Sequence, residues 1–357
     1  MNRKRTALAV AAAGTATGVV GLVLIASPAG AGEAPPALPD ISAEALVQSV
    51  LDADAPAMAG AVELRNDLGL PLPGLPQGKP GEDVARIYAD GQGRARLSLD
   101  EGGSERTIVH DGSTTWIWNS ATRSVQKLEG GPDEERAERM ADPATAARDF
   151  VALMQKDSTV TVDGTARVAD RPAYQLVLTP KPTERTLLRE VRIAVDSETR
   201  LPLRLDVLAN GQAEPALRVG FTEFATGAQD AGLFSFTPPA GAKVTEGERG
   251  ERPSKQERTD ALEGLDLKHV GEGWDTVLTG KLPADALTRQ APENGRGDRG
   301  PATGLDLLKQ VGKEVSGPFG SGYVVTTKVG TALVTTDGRV ALGAVPQQVL
   351  VDALGQK

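Results

Sequence analysis

Five short segments between residues 84 and 128 alternate apolar and polar residues, and this pattern restricts the fold more than any other feature of the chain. Within 94–99 the even positions are polar and the odd positions are apolar, so a strand there would have one wet face and one apolar face. Turn-forming pairs such as Asp90-Gly91 and Asp111-Gly112 separate the segments. Strands joined by such turns predict a meander of antiparallel hairpins. The five segments are 84–89, 94–99, 105–110, 114–119 and 123–128.

Helix and strand patterns extend this meander on both sides. Ser42 can cap a helix that places Leu46 and Val50 on one face. Asp142-Pro143 predicts the start of a second helix, because Asp is a favoured cap and Pro fits the first helical position. The other predicted strands are 58–64, 158–168, 173–179, 187–195, 201–208 and 216–224, and residues 233–244 close this region.

The N-terminal region has the composition of a secretory signal peptide. A basic cluster precedes a charge-free run over 6–26, and residues 29–31 (AGA) give a small-x-small cleavage pattern. We therefore assign 1–32 as a signal peptide with cleavage near Ala31. An uncleaved anchor is the alternative, because the run approaches the roughly 20 apolar residues that span a bilayer. In both cases the working chain is extracytoplasmic, either secreted or held at the outer face of the cytoplasmic membrane.

The rest of the chain divides into two predicted domains joined by a charged linker. Residues 246–259 carry many charges and no apolar residue, which is typical of a linker. The second domain is a small α+β unit with strands at 274–279, 322–328, 331–336 and 339–344, and with helices near 304–311 and after Pro346. The predicted boundaries are 33–245 for the first domain and 260–357 for the second.

Charge and cysteine content exclude several classes of function. The chain has no cysteine, which rules out disulfides, thiolate metal sites and a cysteine nucleophile. The signal segment holds three of the 39 basic residues and none of the 48 acidic ones, so the mature chain would carry a net charge of −12. Phosphate binding needs a basic surface, so we expect no nucleic-acid partner.

The sequence offers no constellation of catalytic, metal-binding or cofactor-binding residues. The two histidines, His110 and His269, are far apart, which is more typical of ordinary surface residues than of a metal pair. Residues 295–300 fit G-x-G-x-x-G, but no apolar strand precedes them and Pro301 follows. A dinucleotide fingerprint requires a strand, a turn and a helix at that point. We therefore predict a protein that is not an enzyme, with no catalytic residues, no metal and no cofactor.

The apolar residues of the strands suggest two kinds of interior. Trp116 and Trp118 lie two apart on one strand and therefore share a face. They and similar pairs can form either a filled core under one or two helices, which composition favours, or an open hollow that binds a ligand. The candidate lining residues are Leu97, Leu99, Trp116, Trp118, Leu176, Leu178, Ile193, Val195, Leu203, Leu205, Val219 and Phe221.

The chain resembles the LolA/LolB lipoprotein-carrier family, whose superfamily includes the RseB-type regulators, in two motifs that follow one another along the sequence. One is the hairpin 111–119 (DGSTTWIWN), and the other is the closing phrase 234–242 (FSFTPPAGA). The resemblance covers about residues 40–245, while 260–357 resemble a C-terminal extension. It implies a mainly β fold, an unclosed and strongly curved antiparallel β-barrel of about eleven strands. Helices would plug its hollow, and a small C-terminal α+β domain would follow.

The resemblance also implies a function in the cell envelope without catalysis. A carrier would transport the acyl chains of lipids or lipoproteins in the hollow. An RseB-like signalling protein would sense lipid there and bind a membrane protein or a lipoprotein as its partner. The Pro/Gly-rich loop 68–82 is either a lid over the hollow or a cover for the sheet edge. Its apolar residues are Leu68, Leu70, Leu72 and Leu75.

Overall fold

The computed structural model describes eight ranges of the chain, and all structural statements concern these ranges. They are residues 35–54, 56–69, 83–100, 103–129, 154–248, 267–283, 287–288 and 303–355. The described residues from Ala37 onward form one structural unit that contains two β-sheets. The predicted signal peptide therefore lies outside the described residues.

The large sheet has twelve strands. They are β1 Ala57–Asn66, β2 Asp83–Asp90, β3 Ala95–Asp100, β4 Glu105–His110, β5 Thr114–Asn119, β6 Ser124–Glu129, β7 Ser158–Val168, β8 Arg171–Pro180, β9 Leu188–Asp196, β10 Pro202–Ala209, β11 Leu217–Thr226 and β12 Lys243–Glu248. Their order is β12-β6-β5-β4-β3-β2-β1-β11-β10-β9-β8-β7. The edge strands β12 and β7 do not pair with each other, so the sheet is unclosed.

This sheet confirms the predicted fold class, with one strand more than the expected eleven. All of its neighbouring strands are antiparallel except β12, which pairs in parallel with β6. The sequence of β12 (KVTEGE) lacks the alternation that marks the other strands, and its pairing with β6 is tertiary. Its last three residues belong to the predicted linker 246–259, whose remainder lies outside the described residues. The proposed division into domains stays a prediction.

The small sheet has six antiparallel strands. They are β13 Lys268–Val270, β14 Val277–Lys281, β15 Lys313–Gly317, β16 Gly320–Thr326, β17 Thr331–Thr335 and β18 Arg339–Gly343, in the order β13-β14-β18-β17-β16-β15. Helix α2 (Gly304–Val311) begins with a capping box between Thr303 and Asp306. Helix α3 (Gln347–Gly355) packs Leu350 against Val277 and Leu333 of the sheet, and all three are fully buried. The sequence predicted these helices and missed the short strands β13 and β15.

Helix α1 (Ala43–Leu51) begins where the sequence predicted it. The Ser42 side chain accepts a hydrogen bond from the amide of Ala45, which satisfies one of the free amides of the first turn. The apolar stripe of α1 packs on the large sheet through the fully buried Leu46. The start of the second predicted helix, at 142–143, lies outside the described residues, although 154–157 are helical. No helix among the described residues is long and apolar enough to cross a membrane.

Backbone carbonyls accept hydrogen bonds between the two sheets at two places. In the loop between β8 and β9, the Thr186 hydroxyl and the Leu187 amide both donate to the carbonyl of Ala344, at 2.7 and 2.8 Å. After β1, the carbonyl of Leu68 accepts from the amide of Lys328 at 3.1 Å. These contacts position the small sheet against one end of the large one.

Candidate functional site

One face of the large sheet carries a continuous row of apolar side chains across seven strands. Paired residues of neighbouring strands project to the same face, so the strand pairing shows which side chains belong to the row. The pairs are Leu176 with Ile193, Ile193 with Leu205, Leu205 with Val219, Val219 with Leu64, Val62 with Ala85, and Ala85 with Leu99. Val62 and Leu64 lie two apart on β1 and share that face. We call this surface the open face.

The open face brings together nine of the twelve residues that the sequence predicted. They are Leu97, Leu99, Leu176, Leu178, Ile193, Val195, Leu205, Val219 and Phe221. Val62, Leu64 and Ala85 belong to the same face and were missed. Their alternation is visible in the sequence, but only the strand register places them beside the other nine.

Coverage of the open face differs along its length. At the β7–β9 end, helix α1 packs over Leu176, Leu178 and Val195, which are all buried. In the middle, Val219 has 39% of its surface exposed, although its pairing partner Leu64 is buried. The helix therefore covers one end of the face, and Val219 further along it stays accessible to solvent.

A cavity of about 470 Å³ lies beside β2 and β3, and residues from both faces of these strands line it. Val84, Ala85 and Leu99 form the apolar part of its lining, and Arg86 and Glu105 are among its charged residues. Its volume is within the range of about 300–1,000 Å³ that is usual for ligand pockets. Ala85 and Leu99, at the end of the apolar row, border this space.

The reverse side of the same strands is charged. Asp206 is buried and accepts hydrogen bonds from the Nε atoms of Arg218, at 2.6 Å, and Arg204, at 3.2 Å. The hydrogen bond from Arg218 to Asp206 raises the pKa of that guanidinium, whereas burial lowers the pKa of Arg204. Asp206 directly follows Leu205, and Arg218 directly precedes Val219. Because successive side chains of a strand alternate between faces, these charges lie on the face opposite to the open face. At β10 and β11 an apolar ligand therefore fits one side of the sheet only.

Trp116 and Trp118 lie on the face opposite to the open face. Leu97 pairs with Ile108 and Ile108 pairs with Ile117, so the tryptophans on either side of Ile117 project the other way. The structure therefore does not bring the Trp pair together with the nine aliphatic and aromatic residues.

A second apolar surface surrounds Trp116, and the chain itself covers it. Val109 and Val125 are fully buried on this face, beside the tryptophans with which they pair. The segment 231–242 runs across it, with the Phe236 ring 5.7 Å from the Trp116 ring. Phe234 is 1% exposed and lies under the Arg94 guanidinium, 5.2 Å from ring centre to Cζ. We call Val109, Trp116, Trp118 and Val125 the closed patch, and 231–242 the closing segment.

Two further predicted residues occupy buried positions. Leu203 lies where the pairing of β10 with β9 shifts by one residue, and it packs in a cluster with Ala194 and Phe224. Leu68, predicted as part of a lid, is 4% exposed and packs with Val329 of the small sheet. Such an anchored position does not suit a moving lid. The other predicted lid residues, Leu70, Leu72 and Leu75, lie outside the described residues.

Comparison with known families agrees with this architecture. Residues 83–244 match the model of the MucB/RseB N-terminal domain. The large sheet is therefore assigned to the superfamily of LolA-like and RseB-type proteins, which confirms the resemblance seen in the sequence. The matched families are binding or regulatory proteins that work outside the cytoplasm.

The chain is similar to solved structures at low identity. The complex of Pseudomonas aeruginosa MucA and MucB has 17% identity, covers 87% of this chain and 96% of its own, and gives a TM-score of 0.42. A LolA superfamily protein, NE2245 from Nitrosomonas europaea, has 11% identity, with coverages of 55% and 99% and a TM-score of 0.21. No curated protein sequence matches the chain.

Proposed function

We propose that the protein is a non-enzymatic, extracytoplasmic carrier that binds the acyl chains of lipids or lipoproteins on the open face. The observation that carries the proposal is the apolar row over seven strands whose middle residue, Val219, is 39% exposed. Apolar side chains that stay in contact with water cost free energy, which burial against an acyl chain would recover. The match to the MucB/RseB family supports the same class of protein.

Burial of an acyl chain supplies enough free energy for such binding. Each methylene removed from water contributes about 0.8 kcal/mol. A chain of about sixteen carbons could therefore contribute on the order of 10 kcal/mol before the costs of ordering. Polar contacts are not required, which fits a surface built from Leu, Ile, Val and Phe.

The proposed ligand surface is narrower than the sequence suggested. It consists of the nine predicted residues of the open face together with Val62, Leu64 and Ala85, and it leaves out Trp116, Trp118 and Leu203, which pack elsewhere. The loop with Leu70, Leu72 and Leu75 is proposed as its cover. Residues 1–32 are proposed to direct export, and the intact mass of the extracytoplasmic protein would show whether they are cleaved.

Native mass spectrometry of the protein purified from its own host tests the carrier function. The expected result is a species heavier than the chain by the mass of a lipid or an acylated peptide. After removal of that ligand, the protein should bind a fluorescent 16-carbon fatty acid in a saturable way. A ligand-free mass together with no detectable fatty-acid binding would contradict the proposal.

An RseB-like regulator is the second candidate. It would sense lipid on the open face and bind a membrane protein through the small domain. The observation that favours it is the contact of the small sheet with the β8–β9 loop, through the carbonyl of Ala344. Purification from detergent-solubilised membranes separates the two functions. A regulator should retain a stoichiometric membrane protein that lipid releases, whereas a carrier should retain lipid alone.

A further inference from the structure

A tryptophan from the small-sheet region reaches into the covered end of the open face. Trp274 lies in a short 3₁₀ turn, Gly273–Asp275, between β13 and β14. Its indole Nε1 donates to the Ser158 hydroxyl at 2.7 Å, and its backbone amide donates to the Glu184 carboxylate at 2.9 Å. Both partners belong to the large sheet or its loops, so Trp274 is tied to that sheet at two points.

The Trp274 ring also packs against the apolar cluster under helix α1. This cluster contains Leu176, Leu178 and Val195 of the open face. Met154 packs against the same cluster. The small-sheet region therefore supplies one wall of the same apolar region that the proposed function uses.

A cavity of about 350 Å³ lies beside Trp274, between the two sheets. Its lining presents mainly carbon, from the Met154 thioether, the indole, and the methyl groups of Thr276 and Ala344. The volume is at the lower end of the range of about 300–1,000 Å³ for ligand pockets. The Ser158 hydroxyl in the lining already accepts the indole hydrogen bond. An apolar ligand suits this cavity better than a polar one.

Close packing fixes the walls of the cavity. Gly273 has a φ of +63°, and a Cβ there would lie 2.6 Å from Cγ of Asp157. Only glycine fits such a contact in the left-handed region without displacement. The 3₁₀ turn is thus pressed against the start of β7, and the cavity beside it has a defined shape.

We propose that this junction cavity is a subsite for the methyl end of an acyl chain held on the open face. The inference rests on the proposed acyl-chain binding and adds where the chain ends. The carboxylate of Asp157 lines the cavity and repels the anionic end of a fatty acid, so the methyl end enters. A chain in this position contacts both sheets, because Trp274 and Ala344 come from the small-sheet region.

Quenching by brominated fatty acids tests the position of the chain. Two 16-carbon acids would be used, one brominated near the methyl end and one near the carboxyl end, since bromine quenches indole fluorescence only at close range. The methyl-end probe should quench the parent protein and Trp116→Phe, but should quench Trp274→Phe much less. The carboxyl-end probe should show no such dependence on Trp274. Equal quenching of all three proteins by the methyl-end probe would overturn the proposal.

Filling the cavity gives a second, independent readout. Ala344→Leu reduces the space and keeps the backbone carbonyl that bonds Thr186 and Leu187. It should weaken binding of a 16-carbon acid about 10-fold. Unchanged affinity would contradict the subsite. If Ala344→Leu does not fold, the quenching result decides. Failure of the parent protein to bind any acid would instead reject the proposed function itself.

Discussion

The open face and the closed patch are two apolar surfaces of one sheet, and the chain covers the closed patch but only one end of the open face. The closed patch lies on β4–β6 and is covered by the closing segment, whose Phe236 packs on Trp116. The open face lies on the reverse side and extends from β8 to β3, with α1 over one end only. The comparison shows that abundance of apolar side chains does not identify a binding surface. What distinguishes the two is whether the chain provides its own cover.

The cover of the closed patch is held in place by specific contacts. The Arg123 guanidinium donates to the carbonyl of Ala240 at 2.9 Å, and β12 then pairs with β6. The two motifs that carry the family resemblance, the 111–119 hairpin and the 234–242 phrase, thus touch each other. Their role in this structure is to close a core.

Phe234→Ala should have the largest effect on stability. The side chain is fully buried, so its removal leaves a cavity and should lower the free energy of unfolding by about 3–5 kcal/mol. Urea denaturation measures this loss. Phe221→Ala is the matched control, because Phe221 is only half-buried and lies on the open face. Equal losses for the two variants would break the distinction between the surfaces.

Asp196→Asn should destabilise the protein without altering either surface. Asp196 is fully buried and accepts hydrogen bonds from Arg171 Nε and Nη2, at 3.0 and 2.9 Å, and from Thr199. Burial by itself would raise the pKa of Asp196, but the hydrogen bonds from Arg171 and Thr199 hold it below the ordinary 3.8. Loss of this charge should cost about 1–3 kcal/mol at neutral pH.

The pH dependence of unfolding checks this assignment. A lowered pKa in the folded state stabilises the protein above the ordinary pKa of 3.8, and the stabilisation disappears as the pH falls through the lowered value. Asp196→Asn should therefore show a weaker loss of stability below pH 3.8 than the parent. Acyl-chain affinity per folded molecule should be unchanged. A lower affinity would mean that stability, and not the open face, controls binding.

The sequence predicted the segments of the large sheet and not their lateral arrangement. Alternation placed Trp116 and Trp118 on one face of a strand, as observed. It could not show that Leu97 lies on the other face, because this depends on the register of three strands. The shift at Leu203 is equally invisible, since an extra residue in one strand has no signature of its own. The sequence did not predict strand β12, because its charged residues show no strand pattern. It is a strand because it pairs with β6.

Trp116→Ala should lower stability moderately and leave acyl-chain binding intact. Trp116 is half-buried, so the loss should be about 1–2 kcal/mol, less than the value for a fully buried aromatic side chain. Titration with the fluorescent 16-carbon fatty acid measures affinity, and thermal unfolding measures stability. A marked loss of affinity in this variant would place the ligand on the closed patch.

Val219→Gln should have the smallest effect on stability and the most direct effect on binding. Val219 is 39% exposed on the open face, and Val244 is 45% exposed on the opposite face, where it pairs with Val125. Gln at either exposed position should change the free energy of unfolding by no more than about 0.5 kcal/mol. The two variants therefore differ mainly in which face they make polar.

The affinity of these two variants for the fluorescent 16-carbon fatty acid tests the central claim. Val219→Gln should bind about 10-fold more weakly than the parent protein, because a polar amide then lies where methylenes are buried. Val244→Gln should bind like the parent. Unchanged affinity in Val219→Gln, or an equal loss in both variants, would contradict the assignment of the open face as the acyl-chain site.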